Sequence, residues 1–189
     1  VLQALLDGGE LTARRTAAAS ALASRYLSRA DSTRLLMVGT GTMGRGIAQI
    51  MAAGGMTVHM FDTRSGAAAE ALDFISRMLK RTAEKGNMSA GDADAAIARL
   101  HVAGALSDIA GADLVVEAIV EDLDIKRSLF GDLEAIAGPD CILASNTSSL
   151  SVTAIAATCE HPGRVAGYHF FNPVPLLKLV EVVSGLNTK

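Results

Sequence analysis

The sequence predicts an α/β fold: an open, doubly wound, mostly parallel sheet with helices on both faces. Three observations predict it. Short apolar runs alternate with helix-patterned stretches along the chain, the pattern of βα units. The first run, residues 35–38, opens into Gly39, Gly41 and Gly44 in G-x-G-x-x-G spacing, and a helical stretch follows at 45–51. A second apolar run, 56–61, ends at Asp62, roughly 20 positions past the first glycine, where a ribose-binding carboxylate is expected. Together these mark a Rossmann-type dinucleotide-binding unit.

Each glycine of the loop has its own physical task. Gly39 permits the tight turn out of the strand. Gly41 lets the backbone approach a pyrophosphate, and Gly44 lets the helix pack close on the strand. The helix that starts here aims unsatisfied N–H groups at the anion. After Asp62, residues 66–85 read as one long helix, with Ala71, Phe74, Ile75, Met78 and Leu79 at three- and four-residue spacings. Gly86 and Asn87 end it. Residues 89–100 read as a second helix, with Ser89 as N-cap and Asp92 as the acidic half of a capping pair. This excursion is longer than an ordinary crossover; it reads equally as an arm shaping a ligand cleft or as surface packing.

A short strand is expected at 101–103 and a buried one at 112–120, where Leu114, Val115, Val116 and Ile119 form an apolar run with Glu117 and Glu121 in and just after it. Residues 122–137 read as a helix, 141–144 as a strand ending in Ser145-Asn146-Thr147-Ser148-Ser149, and 151–157 as a short helix capped by Ser151. Two last strands, 165–171 and 177–183, are joined through Asn172-Pro173-Val174-Pro175. The polar clusters fall at the carboxyl ends of strands, where ligands of such sheets bind.

The chain has 189 residues, a formal net charge of −3 and a pI near 5.8. Its slight acidity gives no reason to expect a nucleic-acid partner. No apolar run approaches the roughly 20 residues that span a bilayer, so no membrane span is expected. Cys141 and Cys159 make neither a disulfide framework nor a metal site, which fits a reducing, cytoplasmic compartment. Residues 1–33 differ in texture: 12–30 are Ala-rich, with Arg14, Arg15, Arg25 and Arg29 and no acid, and Ala18, Leu22 and Tyr26 recur at helical spacing. They read as an N-terminal helical linker segment ahead of a dinucleotide-binding domain at 34–189. A transit peptide is the alternative, disfavoured by Asp7, Glu10 and a first residue that is not Met.

Three groups stand out for chemistry: Ser148, His169 and Glu181. A histidine held by a carboxylate is a general base, and a nearby hydroxyl can hold a substrate oxygen. Spacing alone does not bring the three together, and each has a structural reading as cap, core histidine or surface strand residue.

The stretches VGTGTMGRGIAQI, VVEAIVEDLDIK, SNTSSLSVTAIA and GYHFFNPVPLLKLVEVV, in this order, resemble the NAD-binding domain of the 3-hydroxyacyl-CoA dehydrogenases, from about residue 35 to 183. The resemblance implies NAD-dependent oxidation of (S)-3-hydroxyacyl-CoA to 3-oxoacyl-CoA, as in fatty-acid β-oxidation. It implies His169 as base, Glu181 as its partner and Ser148 on the substrate oxygen. Asn146 would line the nicotinamide side, and Gly39, Gly41, Thr42, Met43 and Gly44 would cradle the cofactor. Asp62 would hold the adenosine ribose, with Glu121 and Lys126 along the cofactor. Asn172 would face the substrate and Lys85 the CoA phosphates; no metal is implied. The family continues into an all-helical domain that closes the cleft and carries dimer contacts, and the resemblance ends before it; a homo-oligomer and a helical partner domain are therefore expected. Thr40 stands where the family usually has a small Ala, and is expected to be tolerated because its side chain need not enter the turn. The alternatives are an NAD-binding module without turnover and a related hydroxyacid or sugar-acid dehydrogenase, the latter disfavoured by the intact S-N-T-S-S.

Overall fold

A computed structural model describes residues 31–177 and 179–189; the helix expected over 12–30 lies outside the described residues. The elements run β1 (Arg34–Val38), α1 (Thr42–Ala53), β2 (Thr57–Phe61), α2 (Ala67–Glu84), α3 (Ala90–Ala98), β3 (Leu100–Val102), β4 (Leu114–Glu117), α4 (Leu123–Ile136), β5 (Ile142–Ser145), α5 (Val152–Ala156), β6 (Val165–Phe170) and β7 (Val180–Ser184). One seven-stranded sheet takes the order β3-β2-β1-β4-β5-β6-β7. Every neighbouring pair is parallel except β6–β7, which is antiparallel.

Strand periodicity explains the double winding. Along β1, Leu35 and Met37 face one side and Leu36 and Val38 the other, all of them buried. The first pair joins Val58, Met60, Ile47 of α1 and Ile75 of α2 in one core. The second joins Val115, Leu143, Phe130 of α4 and Ile155 of α5 in another. A strand buried on both faces is apolar on both, which is why residues 35–38 of β1 and 114–116 of β4 read as unbroken runs, with Glu117 the buried exception at the end of β4.

The helical excursion packs on the sheet. Ala71, Ile75 and Leu79 of α2 and Ala93 and Ala96 of α3 are buried in the first core. Arg45 of α1 lies 4.0 Å from the centroid of the Phe74 ring, fastening α2 to α1. Ser89 caps α3 as its spacing predicts, its Oγ accepting from the Asp92 N–H at 3.0 Å.

Three of the departures from the sequence pattern have a clear local cause. The strand expected over 112–120 covers only Leu114–Glu117. Before it, Asp113 turns its carboxylate to the Thr33 and Arg34 N–H groups; after it, the Glu117 carboxylate takes the Ile119 N–H and ends the extended run. The helix expected to Leu100 stops at Ala98, because Leu100 pairs with Val58 in the sheet. The last strand starts at Val180 rather than Leu177: the Leu176 and Leu177 N–H groups both donate to the Pro173 carbonyl and curl the chain after a cis Asn172–Pro173 bond.

Candidate active site

Register lines up the strand ends. Phe61, Val38, Glu117, Ser145, Gly167 and Val183 are successive partners in one row across six strands. The residues just beyond it open the Gly loop after β1, Asp62 after β2 and the S-N-T-S-S loop after β5. β1 and β4 lie side by side although β2 and β3 intervene in sequence, so the strand order reverses there, and ligand crevices form at such a switch point.

The three glycines have three different surroundings. Gly39 has φ +87°, and a Cβ there would stand 2.7 Å from the Ala118 carbonyl oxygen. A Cβ on Gly44 would stand 1.8 Å from the Gly39 carbonyl oxygen, so this glycine is demanded by the loop folding over it. At Gly41 a Cβ would meet nothing within 4 Å. The space beside Gly41 is thus open, so nothing among the described residues keeps a ligand from its backbone. Gly41 is also the N-cap of α1, with no side-chain cap and no acidic residue in the first turn, so the helix presents free N–H groups there. Thr42 is exposed and Met43 half-buried in that first turn. The arrangement fits the pyrophosphate of a dinucleotide.

Asp62 stands beside this loop and is tied to it. Its Oδ2 accepts from the Thr40 N–H at 2.8 Å and from the Thr40 hydroxyl at 2.7 Å, and its Oδ1 accepts from the Arg64 N–H at 3.0 Å. Partial burial works against ionisation, but these hydrogen bonds and the Arg64 charge outweigh it and hold the carboxyl below the usual range. Thr40, expected to be tolerated in the loop, is also a partner of Asp62.

The S-N-T-S-S loop hangs on a chain of charges. Lys126, expected along the cofactor, is 1% exposed. Its ammonium donates to Glu117 Oε1 at 2.6 Å and lies 3.2 Å from Glu121 Oε2. Glu117, fully buried at the row, also accepts from the Ser145 hydroxyl at 2.7 Å. Glu121 Oε1 accepts from the Thr147 hydroxyl and from the N–H groups of Ser148 at 3.0 Å and Ser149 at 3.3 Å. Burial raises Glu121, but Thr147, Lys126 and the Ser148 N–H outweigh that and lower its carboxyl to about 2. The result is an exposed Ser148 on a loop whose backbone is held from below.

Asn146 of the same loop accepts the Phe170 N–H on its Oδ1 at 2.8 Å, which docks the loop on the end of β6. At that end His169 and Glu181 are direct cross-strand partners, and His169 Nδ1 lies 3.0 Å from Glu181 Oε2. Nδ1 is thereby engaged, and Nε2 is left for another partner. Side-chain exposure is 19% for His169 and 54% for Glu181, so the pair opens to solvent on one side. Asn172 is exposed three residues past His169. Lys85 is exposed at the far end of α2, on a separate element.

The sequence reading misses Glu117, Ser145 and Thr40. The signal for the first two was present: Lys126 shares the buried stripe of Phe130 and Leu133 on α4, and Glu117 closes the apolar run L-V-V-E. A charge in each of two buried patterns nine residues apart points to a pair.

Among the described residues no helix is long and apolar enough to cross a membrane, and no group of three or more His, Cys, Asp or Glu could hold a metal ion. Residues 34–189 match the family model described as the 3-hydroxyacyl-CoA dehydrogenase NAD binding domain. The chain is 44% identical over 152 residues to the 3-hydroxyadipyl-CoA dehydrogenase of Escherichia coli, covering 80% of this chain and 32% of the relative. It is 44% identical over 155 residues to the probable 3-hydroxybutyryl-CoA dehydrogenase of Bacillus subtilis, covering 82% of this chain and 54% of the relative. Among solved structures, the 3-hydroxybutyryl-CoA dehydrogenase of Escherichia coli superposes with a TM-score of 0.82 at 42% identity, over 84% of this chain and 34% of that one. The (S)-3-hydroxybutyryl-CoA dehydrogenase of Ralstonia eutropha does so with a TM-score of 0.80 at 37% identity, over 84% and 56%. The chain thus spans between about a third and about half the length of these relatives.

Proposed function

Because the chain belongs to the family of 3-hydroxyacyl-CoA dehydrogenase NAD-binding domains, we propose that it serves in the NAD-dependent oxidation of a 3-hydroxyacyl-CoA to the 3-oxoacyl-CoA, in fatty-acid β-oxidation or a related CoA pathway. The observation that carries the reading is the His169–Glu181 pair, cross-strand partners at 3.0 Å just past the row of strand ends.

In this reading His169 is the base. With Nδ1 engaged by Glu181, Nε2 takes the proton of the 3-hydroxyl, and the Glu181 carboxylate stabilises the imidazolium that forms. Ser148 donates to the substrate oxygen, from a loop that Glu121 gathers by two N–H groups. Asn146 keeps that loop against β6, so that hydroxyl and imidazole belong to one rigid edge. When bound, NAD supplies the acceptor for the hydride that leaves C3. Gly41, Thr42 and Met43 take its pyrophosphate side, and Asp62 its adenosine ribose. Lys126 acts from below by fixing Glu121. Asn172 and Lys85 are assigned to the acyl-CoA on the resemblance of their stretches alone. Cys141 and Cys159, both outside any disulfide among the described residues, support a cytoplasmic setting. Exposed Leu176, Leu179, Val182 and Leu186 beside the last strand support association with a helical domain or a second copy.

The test is NADH formation from (S)-3-hydroxybutyryl-CoA by an enzyme with its cleft complete, with a gulonate-type acid as comparison. His169→Gln is expected to lower turnover about 10²- to 10⁴-fold while NAD affinity holds. A variant that keeps most of its activity would remove His169 from the chemistry.

A further inference from the structure

Arg64 stands two residues past the ribose carboxylate, and the reaction above makes no use of it. Its backbone is fixed there: the Arg64 N–H donates to Asp62 Oδ1 at 3.0 Å. Its guanidinium is taken up by Glu70, with Nη1 3.1 Å from Oε1 and Nη2 2.6 Å from Oε2, a two-point fork. Glu70 is anchored in turn. It lies in the first turn of α2, and its N–H donates to the carbonyl of Gly66, the N-cap. Both side chains are largely in solvent, so the fork competes with water and can exchange partners.

NAD and NADP differ at this position alone, by a phosphate on the 2′-hydroxyl. An arginine near the end of the second strand is the group that accommodates that phosphate, by the same planar fork it offers a carboxylate. Asp62 and Arg64 thus place opposite preferences at one position: the carboxylate favours the hydroxyl and the guanidinium the phosphate. We propose that Glu70 is a specificity-determining positioning residue, which engages the Arg64 guanidinium and so withholds it from the 2′-phosphate of NADP. The proposal rests on the reading of Asp62 as the ribose carboxylate. Thr40 completes the arrangement on the other side, since its two hydrogen bonds hold the carboxylate in place while Glu70 holds the arginine.

The experiment is calorimetric titration of the purified chain and its variants with NAD and with NADP at low salt. In E70Q the NADP dissociation constant is expected to fall by about fivefold or more, the scale of one charge-assisted contact, with the NAD constant within about twofold. In the double variant E70Q/R64Q the gain should vanish. It should also shrink in E70Q as salt is raised, because the contact is exposed. A structural role for Glu70 at the start of α2 would move both cofactors together. An unchanged NADP constant in E70Q, or a gain that survives the loss of Arg64, overturns the proposal while leaving NAD binding at Asp62 intact. Failure of the unaltered chain to bind NAD would overturn the reading of the site itself, and this proposal with it.

Discussion

At the scale of single residues, Asp62, proposed here for the adenosine ribose, is held in place by the chain itself. Both of its oxygens already accept hydrogen bonds, from Thr40 and from the Arg64 N–H, and its carboxyl is held in the charged form. A fixed carboxylate accepts from ribose hydroxyls and repels a phosphate. The chain should therefore favour NAD over NADP by at least about tenfold, and Asp62→Ser should narrow that gap, read as the two dissociation constants side by side. Equal constants for the unaltered chain would count against Asp62 as the ribose group. Asp62 was legible in the sequence because its signal is a spacing along one chain segment. Its partner Thr40 was not, because the turn that returns the hydroxyl to the carboxylate is a matter of backbone geometry. His169 and Glu181 mark the same limit: 12 residues apart, they meet only because β6 and β7 pair antiparallel in that one register. The resemblance named the pair, whereas spacing alone left it open.

At the scale of elements, the glycine loop separates folding from binding. Gly44→Ala puts a methyl 1.8 Å from a backbone oxygen, a contact that must be relieved by lifting α1 off the loop. A loss of about 1–3 kcal/mol or more is expected, read as a drop in the thermal or denaturant midpoint. Gly41→Ala meets nothing, at a φ of −63° that alanine adopts freely. Its melting curve should match the parent's while NAD affinity falls. Equal effects on stability would mean that the two glycines do one task. The loop after β5 carries a pH signature of its own. The Glu121 carboxyl, at about 2, lies below its value in the unfolded chain. Its contribution is complete above the unfolded value and is lost as pH falls through the folded one. Stability should thus decline from about pH 4.5 toward 2, and Glu121→Gln should flatten that part of a pH–stability curve. The element boundaries were legible where a run of side chains set them, as in β1 and α2. They were overread where a carboxylate ended the run, as at Asp113 and Glu117, because an apolar pattern does not show which backbone N–H a side chain will take.

At the scale of the whole molecule, the two cores on either face of the sheet form among the described residues, and Gly41 and Asp62 adjoin α1 and β2, whose Ile47, Val58 and Met60 lie in the first of them. Binding of NAD by the 189-residue chain is therefore expected, with an equimolar calorimetric transition. Turnover asks for more. Glu181 is 54% exposed and Ser148 stands exposed on its loop, so water reaches the groups proposed to stabilise developing charge. An imidazolium beside a solvated carboxylate gains far less than one in a closed cleft. A substrate held on one side is also free to misplace its hydroxyl, and about 1 Å of misplacement can lose 10²-fold in rate. The relatives are two to three times as long as the stretch they share with this chain, covered over 54% and 32% of their length. Oxidation of (S)-3-hydroxybutyryl-CoA by the 189 residues alone should thus be at least about 10²-fold below that of the same chain supplied with the remaining part of such a relative, in cis or in trans. NAD affinity should be nearly the same in both. If the 189 residues alone reach the turnover of the longer enzyme, the cleft is closed by groups already described, and the solvent-open pair at His169 and Glu181 is sufficient as it stands.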